Sequence, residues 1–153
     1  MKKLIIAILI PLIVGGVSGF FTSEAVTGWY AGIQKPSFNP PNGIFAPVWT
    51  SLYILMGIAL YLVWKQESHT KIWRQALYLF GIQLFLNFCW SLIFFKLEQP
   101  GWAFVEIVCL WISILLTIIW FLKLSKVAGW LLVPYLCWVS FAALLNYEIW
   151  RLN

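Results

Sequence analysis

The sequence has little charge and almost none of the side chains that ligate metal ions. Only 10% of the 153 residues are charged, and the single histidine, His69, lies in a short polar stretch between two apolar runs. The apolar runs hold no Cys/His/carboxylate cluster, no glycine-rich phosphate loop and no Ser/His/Asp set. These absences argue against hydrolytic and metal-dependent catalysis, and no metal site is predicted.

Cysteine is also scarce, and its placement argues against disulfide bonds. Cys89, Cys109 and Cys137 all fall inside apolar runs, and none lies in a predicted loop. We therefore expect three small, buried side chains that are not paired with one another.

Hydrophobic residues, in contrast, make up 63% of the chain. A mean hydropathy of +0.90 excludes a water-soluble globular domain. Five apolar stretches are long enough to cross a bilayer, and none alternates in polarity as the strands of a membrane β-barrel do. They cover residues 4–22, 44–64, 72–95, 102–122 and 128–150. The sequence predicts an all-α integral membrane protein, with residues 1–153 forming one bundle of five transmembrane helices.

The basic residues predict the topology of this bundle. If the N-terminus is inside, the inner side holds Lys2, Lys3, Lys65, Lys71, Arg74, Lys123 and Lys126, and the outer side holds Lys35, Lys96 and Arg151. This asymmetry favours an inner N-terminus and an outer C-terminus, and it accounts for the basic excess without a nucleic-acid partner. A cleaved signal peptide is the alternative for the first run, but no A-x-A cleavage site follows it.

The first connection, residues 23–43, is predicted to be much longer than the other three. It combines prolines with large aromatic residues, among them Trp29, Tyr30, Phe38 and Pro40. Such a segment suits a semi-rigid lid over one end of the bundle. The alternative is an aromatic strap that lies in the headgroup layer.

Tryptophan is unusually frequent, with eleven residues. Six lie at span ends, where indoles anchor helices at the membrane interface: Trp64, Trp73, Trp102, Trp120, Trp130 and Trp150. From the helical rise, Trp49 and Trp90 lie about 7 Å below the outer ends of their spans, and Trp138 lies about 18 Å below. These three indoles, in the outer half of the bundle, are candidates for a ligand site under the first connection.

Two amides lie at a similar depth. Asn87 is three residues before Trp90 on one helix face, and Gln83 is one turn further inward. An amide in hydrocarbon needs a partner, so both should point into the bundle. They either contact a ligand or join two helices by a hydrogen bond. Ala142 and Ala143, near Trp138, either leave room for a ligand or allow close helix packing.

Two further features of the spans admit more than one interpretation. Glu106 is the one carboxylate well inside a span, which makes it a functional candidate, although pairing with Lys96 or with headgroups is the favoured interpretation. Gly15 and Gly19 form a small-xxx-small pair that permits close helix contact, within one chain or between two.

Four segments in order resemble the translocator protein family, also called tryptophan-rich sensory proteins or peripheral-type benzodiazepine receptors. The segments are Trp29-Tyr30 with Lys35 to Pro41, Pro47 to Gly57, Gln83 to Phe95, and Pro134 to Asn146. Phe38 stands where many members have Trp, and Glu106 where members commonly have Asp. The resemblance covers most of the chain.

The resemblance implies five packed helices, often dimeric, around a pocket that opens beneath the first loop. It implies porphyrin or haem as a ligand with no required cofactor, sterols in animal members, and isoquinoline or benzodiazepine drugs. The implied binding residues are Tyr30, Pro40, Phe45, Trp49, Tyr53, Asn87, Trp90, Phe94, Trp138, Ala142 and Leu145. In some bacterial members the tryptophans matching Trp49 and Trp138 are linked to light-dependent porphyrin breakdown. Tyr147 and Arg151 fit a sterol-recognition pattern, but an interfacial Tyr and a snorkelling Arg produce the same pattern.

The leading hypothesis is a receptor or sensor in a bacterial inner membrane that binds a tetrapyrrole by stacking on aromatic rings and hydrogen bonding from Asn87. An enzyme that photo-oxidises the bound porphyrin, with Trp49 and Trp138 as catalytic residues, is the first alternative. A carrier of tetrapyrroles or sterols is the second. The expected partners are the ligand, the lipid bilayer and a second copy of the chain.

Overall fold

The computed structural model describes all 153 residues, and the chain is helical with no strand. Its elements are α1 (Lys2–Thr27), α2 (Trp29–Gly32), α3 (Asn42–Trp64), α4 (Lys71–Ser91) with a π-helical turn (Leu92–Lys96), α5 (Pro100–Leu124), α6 (Lys126–Leu131) and α7 (Val133–Leu152). They supply five segments long and apolar enough to cross a membrane: α1, α3, α4 with its π turn, α5, and α6 with α7. The predicted five-helix membrane bundle is confirmed. Helices suit this setting because they satisfy their backbone polar groups internally.

The spans pack side by side around a large apolar core and a second, smaller buried cluster. Helix α1 packs against α3, α4 against α5, and α5 against α7. The core includes Met56, Ile107, Ile114 and Val139, each at most 1% exposed. An ion pair between Lys3 and Glu67 joins the start of α1 to the loop between α3 and α4. The N-terminus and that loop therefore lie at the same end of the bundle.

Glycine allows α1 and α3 to approach closely. A Cβ atom at Gly57 would meet the backbone of Ile8 and lie 2.9 Å from the carbonyl oxygen of Ala7, and one at Gly15 would meet the ring of Tyr53. A Cβ at Gly19, in contrast, would have open space around it. Of the small-xxx-small pair, Gly15 packs α1 against α3 within one chain, whereas Gly19 makes no close contact.

The first connection is shorter than predicted. Helix α1 does not end near residue 22 but continues to Thr27, and the short helix α2 follows at once. The predicted lid loop of residues 23–43 is therefore wrong in its extent, because only residues 28–41 lie between α1 and α3. Ser23, Glu24 and Thr27 are polar but do not end the helix. The Ser23 and Thr27 hydroxyls donate hydrogen bonds to carbonyl oxygens of α1 itself.

The fifth span is broken at Leu132, between α6 and α7. Pro134 lies two residues later and has no N–H to donate to the carbonyl four residues earlier, so the helix cannot run through without a defect. The Ser125 hydroxyl caps α6 by accepting a hydrogen bond from the Ala128 N–H at 3.2 Å. The break sets the direction of α7, which carries Trp138.

Two expectations about burial are wrong. Cys109 and Cys137 are exposed on the outer surface of the bundle and not buried, although all three cysteines are free. Trp73 is not an interfacial anchor, because it is only 8% exposed and donates a 2.9 Å hydrogen bond to the carbonyl oxygen of Val63. Both errors concern the face of a helix that packs inward. An apolar run does not reveal that face, because all of its faces are hydrophobic.

Candidate ligand-binding cavity

A cavity of about 610 Å³ lies at the end of the bundle next to the first connection. Helices α1, α3 and α7 line it together with the end of α4, its π turn and Tyr30 of α2, whereas α5 contributes no lining residue. No charged side chain lines it. The volume is within the range of about 300–1,000 Å³ that small-molecule sites usually have.

Nine aromatic rings line the cavity, and eight of them come from α3, from α4 with its π turn, and from α7. The Trp138 ring centroid lies 6.2 Å from that of Phe45 and 5.5 Å from that of Phe141. Trp90 and Phe94, which also line the cavity, stack with centroids 5.2 Å apart. A wall with this many rings suits a flat, apolar ligand, because aromatic faces bury large areas at fixed geometry.

The π-helical turn adds to this wall. A regular α-helix would direct Phe94 and Phe95 to different faces, since successive residues are about 100° apart. In the turn Leu92–Lys96, both phenylalanines line the cavity, with their ring centroids 4.8 Å apart. Single π turns often occur at functional sites. The turn was not predicted, and hydropathy gives no signal for it.

The wall on α1 is made of small residues. Gly16 and Gly19 both line the cavity, and a Cβ atom at either position would have no neighbour within 4 Å. Side chains at these positions would therefore occupy open space rather than collide with the backbone.

The first connection reaches the cavity through Tyr30, which is 3% exposed. Its ring packs against Phe94 and Phe95, with centroids 6.3 and 5.7 Å away. Its hydroxyl donates a 3.0 Å hydrogen bond to Asn39 Oδ1. Burial raises the pKa of Tyr30 above its ordinary value, while the Asn39 contact lowers it, so the phenol stays neutral at neutral pH.

A series of buried hydrogen bonds lies beneath the cavity, at its deep end. The Tyr53 hydroxyl donates to Asn87 Oδ1 at 2.9 Å, and Asn87 Nδ2 donates to the Tyr135 hydroxyl at 2.8 Å. The Tyr135 hydroxyl donates in turn to Gln83 Oε1 at 2.7 Å. These bonds join α3, α4 and α7. Asn87 and Gln83 were expected either to contact a ligand or to join two helices by a hydrogen bond. The hydrogen bond between helices is observed for both.

These hydrogen bonds give Asn87 a different role from the expected one, which was contact with the ligand. Asn87 is 2% exposed, does not line the cavity, and has both ends of its amide engaged by tyrosines. It holds Tyr53, which does line the cavity. Asn87 therefore supports the cavity floor rather than offering a hydrogen bond to a ligand.

Tyr135→Phe should lower the stability of the bundle. The substitution removes one hydroxyl that both accepts and donates, and leaves Asn87 Nδ2 and Gln83 Oε1 without partners in a buried position. We expect the free energy of unfolding to fall by about 1–2 kcal/mol, seen as a lower midpoint of thermal unfolding in detergent. Tyr78→Phe is the matched control, because Tyr78 is 72% exposed. Equal midpoints for the two variants would contradict this role.

All but two of the expected binding residues line the cavity. Those that do are Tyr30, Phe45, Trp49, Tyr53, Trp90, Phe94, Trp138, Ala142 and Leu145. Asn87 lies beneath it, and Pro40 is not part of its wall. Lining residues that the sequence reasoning missed include Ser18, Phe95 and Phe141. Phe141 could have been found, because it lies three residues after Trp138 on the same helix face.

The remaining candidates lie away from the cavity. Arg151 pairs with Glu148 at 2.6 Å, and Tyr147 packs against Phe104 beside a surface groove between α5 and α7. Glu106 forms no ion pair with Lys96, and its two carboxylate oxygens are buried without a hydrogen-bond partner. The Lys96 ammonium lies 5.9 Å from the centroid of the Phe21 ring.

Five segments that can span a membrane, four of which line an uncharged cavity rich in aromatic rings, define a small polytopic membrane protein with a candidate ligand site. Residues 7–151 match the model of the TspO/MBR family, and the chain belongs to that family.

Curated relatives are similar over most of their length. The chain is 45% identical to the tryptophan-rich protein TspO of Archaeoglobus fulgidus, over 99% of this chain and 97% of that protein. It is 40% identical to the translocator protein of Sus scrofa, over 92% of this chain and 86% of that protein. It is 38% identical to the tryptophan-rich sensory protein of Cereibacter sphaeroides, over 82% of this chain and 77% of that protein. Membership and these names are consistent with a membrane receptor or sensor.

Proposed function

We propose that this protein is a membrane receptor or sensor that binds a flat tetrapyrrole, such as protoporphyrin IX, in the cavity between α1, α3, α4 and α7. The observation that supports this most is the arrangement of the rings. Trp138 packs against Phe45 and Phe141, Trp90 stacks on Phe94, and all five rings line a space of about 610 Å³. One relative is named a tryptophan-rich sensory protein, which supports the role of a sensor.

Binding of this kind relies on area and shape rather than on a metal ligand. Each aromatic side chain that packs on a ligand buries a large apolar area, and stacking adds about 0.5–1.5 kcal/mol per ring pair. No histidine lines the cavity, so a haem would bind there by its ring rather than through an axial imidazole. Isoquinoline or benzodiazepine drugs would use the same rings.

Titration with protoporphyrin IX tests the proposal. Because tryptophans line the cavity, the ligand should quench the tryptophan fluorescence of the purified protein in a saturable way. Phe45→Ala with Phe141→Ala should weaken binding about tenfold or more, since two rings of the wall are lost. Phe85→Ala is the control, because Phe85 is 59% exposed and does not line the cavity. Equal affinity in the wild type and the double variant would overturn the proposed site.

Light-dependent oxidation of the bound porphyrin by oxygen is a second candidate function. It is favoured by the position of Trp49 and Trp138, which both line the cavity. Trp49 also stacks on Tyr53 with centroids 5.7 Å apart. Illumination of the complex with and without oxygen distinguishes the two functions. A receptor returns the pigment chemically intact, whereas an enzyme yields an altered absorbance spectrum that depends on the two indoles.

A further inference from the structure

Asn153, at the end of α7, is hydrogen-bonded to the first connection. Its Oδ1 accepts a hydrogen bond from the backbone N–H of Gln34 at 3.0 Å, and its Nδ2 donates to the Gln34 carbonyl oxygen at 2.8 Å. Gln34 lies between α2 and Pro36, outside any helix, and neither of its backbone groups has another hydrogen-bond partner. One side-chain amide therefore satisfies both backbone groups of Gln34.

A third hydrogen bond fixes the orientation of this amide. Asn153 Nδ2 also donates to the carbonyl oxygen of Ile149 at 2.7 Å. Carbonyl groups in the last turn of a helix have no partner within the helix, so this bond caps α7 and holds the amide in place. The amide of asparagine has two N–H donors and one carbonyl acceptor, and all three groups are used here. Aspartate would lose both donors, and leucine would lose all three groups.

No other hydrogen bonds join the first connection to a distant part of the chain. The remaining hydrogen bonds of this segment are internal or lie at its junctions with α1 and α3. Its other contacts with the bundle include ring pairs, in which Trp29 lies 5.6 Å from Phe94 and Phe38 lies 6.2 Å from Phe141 between centroids. Apolar packing is non-directional, so the amide bonds determine where the segment is fastened.

The hydrogen-bonded amide lies next to the cavity wall but is not part of it. Tyr30, four residues before Gln34, lines the cavity from the first connection, and Ile149 lines it from α7. Ile33, which directly precedes Gln34, packs against the smaller buried cluster that contains both Tyr30 and Ile149. Asn153 does not line the cavity. Its bonds therefore hold together two parts of the chain that each supply a wall residue.

We propose that Asn153 is a positioning residue for the ligand site, which fastens the first connection to the end of α7 and thereby slows the release of a bound ligand. The two bonds to Gln34 must break before the connection can move away from α7 and take Tyr30 out of the wall. Asn153 acts through Tyr30 and makes no contact with the ligand. This inference rests on the proposed function, since it concerns release from the same cavity.

The release rate of protoporphyrin IX tests this role. Protein in lipid nanodiscs is loaded with the porphyrin and mixed with an excess of protein-free phosphatidylcholine vesicles, which take up the released pigment. Recovery of tryptophan fluorescence then gives the dissociation rate constant. Asn153→Ala should raise this constant about five- to tenfold, because two hydrogen bonds that hold the connection are lost.

The matched control is Gln66→Ala. Gln66 is also exposed, and its Nε2 donates a 2.8 Å hydrogen bond to the carbonyl oxygen of Leu124. This bond also joins a connection to the end of a helix, but it lies at the opposite end of the bundle. Gln66→Ala should release protoporphyrin IX as slowly as the wild type does.

Two further measurements separate positioning from a general loss of stability. Without ligand, the amides of residues 28–41 should exchange hydrogen faster in Asn153→Ala than in the wild type, while the exchange of α3 and the midpoint of thermal unfolding stay unchanged. Tyr30→Ala should itself release the porphyrin faster. Because Asn153 acts through Tyr30, adding Asn153→Ala to Tyr30→Ala should raise the rate little further.

The possible outcomes distinguish this inference from the proposed function. If the wild type binds protoporphyrin IX and Asn153→Ala releases it at the wild-type rate, the role of Asn153 is overturned while the proposed function stands. Faster release that comes with a lower midpoint of thermal unfolding, that also occurs in Gln66→Ala, or that adds fully to the effect of Tyr30→Ala would overturn it as well. If the wild type binds no porphyrin, the proposed function is overturned and this inference with it.

Discussion

Replacing Gly16 and Gly19 together by leucine should abolish porphyrin binding while the protein still folds. Both glycines line the cavity and have open space at the Cβ position, so two leucine side chains would fill the ligand's space without meeting the backbone of another helix. Leucine also favours a helix over glycine by up to about 1 kcal/mol. We expect affinity for protoporphyrin IX to fall about a hundredfold or more, measured by quenching of tryptophan fluorescence.

The matched control for this variant is Gly81→Leu. Gly81 also has no neighbour within 4 Å of its Cβ position, but it lies on α4 outside the cavity wall. It should bind porphyrin as the wild type does. Wild-type affinity in the double leucine variant would mean that the ligand binds elsewhere.

Gly57→Leu should damage the fold more than Tyr135→Phe does. The Cβ atom alone would meet the backbone of Ile8 on α1, and backbone cannot rotate away as a side chain can. Helix α1 would have to move off α3, which would also remove Gly15 from its contact with Tyr53. Overpacking of this kind costs about 1–3 kcal/mol for one or two added carbons, and leucine adds four.

The measurement for Gly57→Leu is the monodisperse fraction in size-exclusion chromatography together with the midpoint of thermal unfolding. We expect a large loss of folded protein, and Gly57→Ala should give a smaller loss in the same direction. Gly81→Leu again serves as the control for inserting leucine into a helix. A folded Gly57→Leu variant with the wild-type midpoint would show that α1 and α3 are not packed as described.

The fold could be predicted from the sequence because the bilayer permits few alternatives. Apolar runs of spanning length must be helices when no alternating pattern is present, and the predicted span 44–64 agrees closely with α3, Asn42–Trp64. The end of α1 was missed because helix ends outside hydrocarbon do not depend on hydropathy. The π turn at Leu92–Lys96 was missed because it changes the backbone hydrogen bonds but not the hydropathy of the sequence.

The candidate site could be predicted in its aromatic part but not in its polar part. Spacing correctly placed Asn87 on the same face as Trp90, yet three residues separate them by about 4.5 Å along the axis. The cavity closes within that distance because the Tyr53 and Tyr135 hydroxyls meet at Asn87. The position of the cavity floor depends on side chains from other helices. Residue spacing along one helix cannot show it.

The α1 wall illustrates the same limit. Gly15 and Gly19 have the spacing of a helix-packing motif, but only Gly15 contacts another helix. Gly19 and Ser18 instead line a cavity whose other walls come from distant parts of the chain. Residues that are small or weakly polar carry no signal of a ligand site until those walls are known.

Binding of a tetrapyrrole in the aromatic cavity, inside the membrane, is the property that we propose for this protein. Its most direct test is the absorbance and mass spectrum of the pigment that co-purifies in mild detergent from cells supplied with protoporphyrin IX. The wild type should retain a stoichiometric amount of the porphyrin, and the Gly16→Leu, Gly19→Leu variant should retain almost none. Equal amounts of pigment in both proteins, or none in the wild type, would contradict the claim.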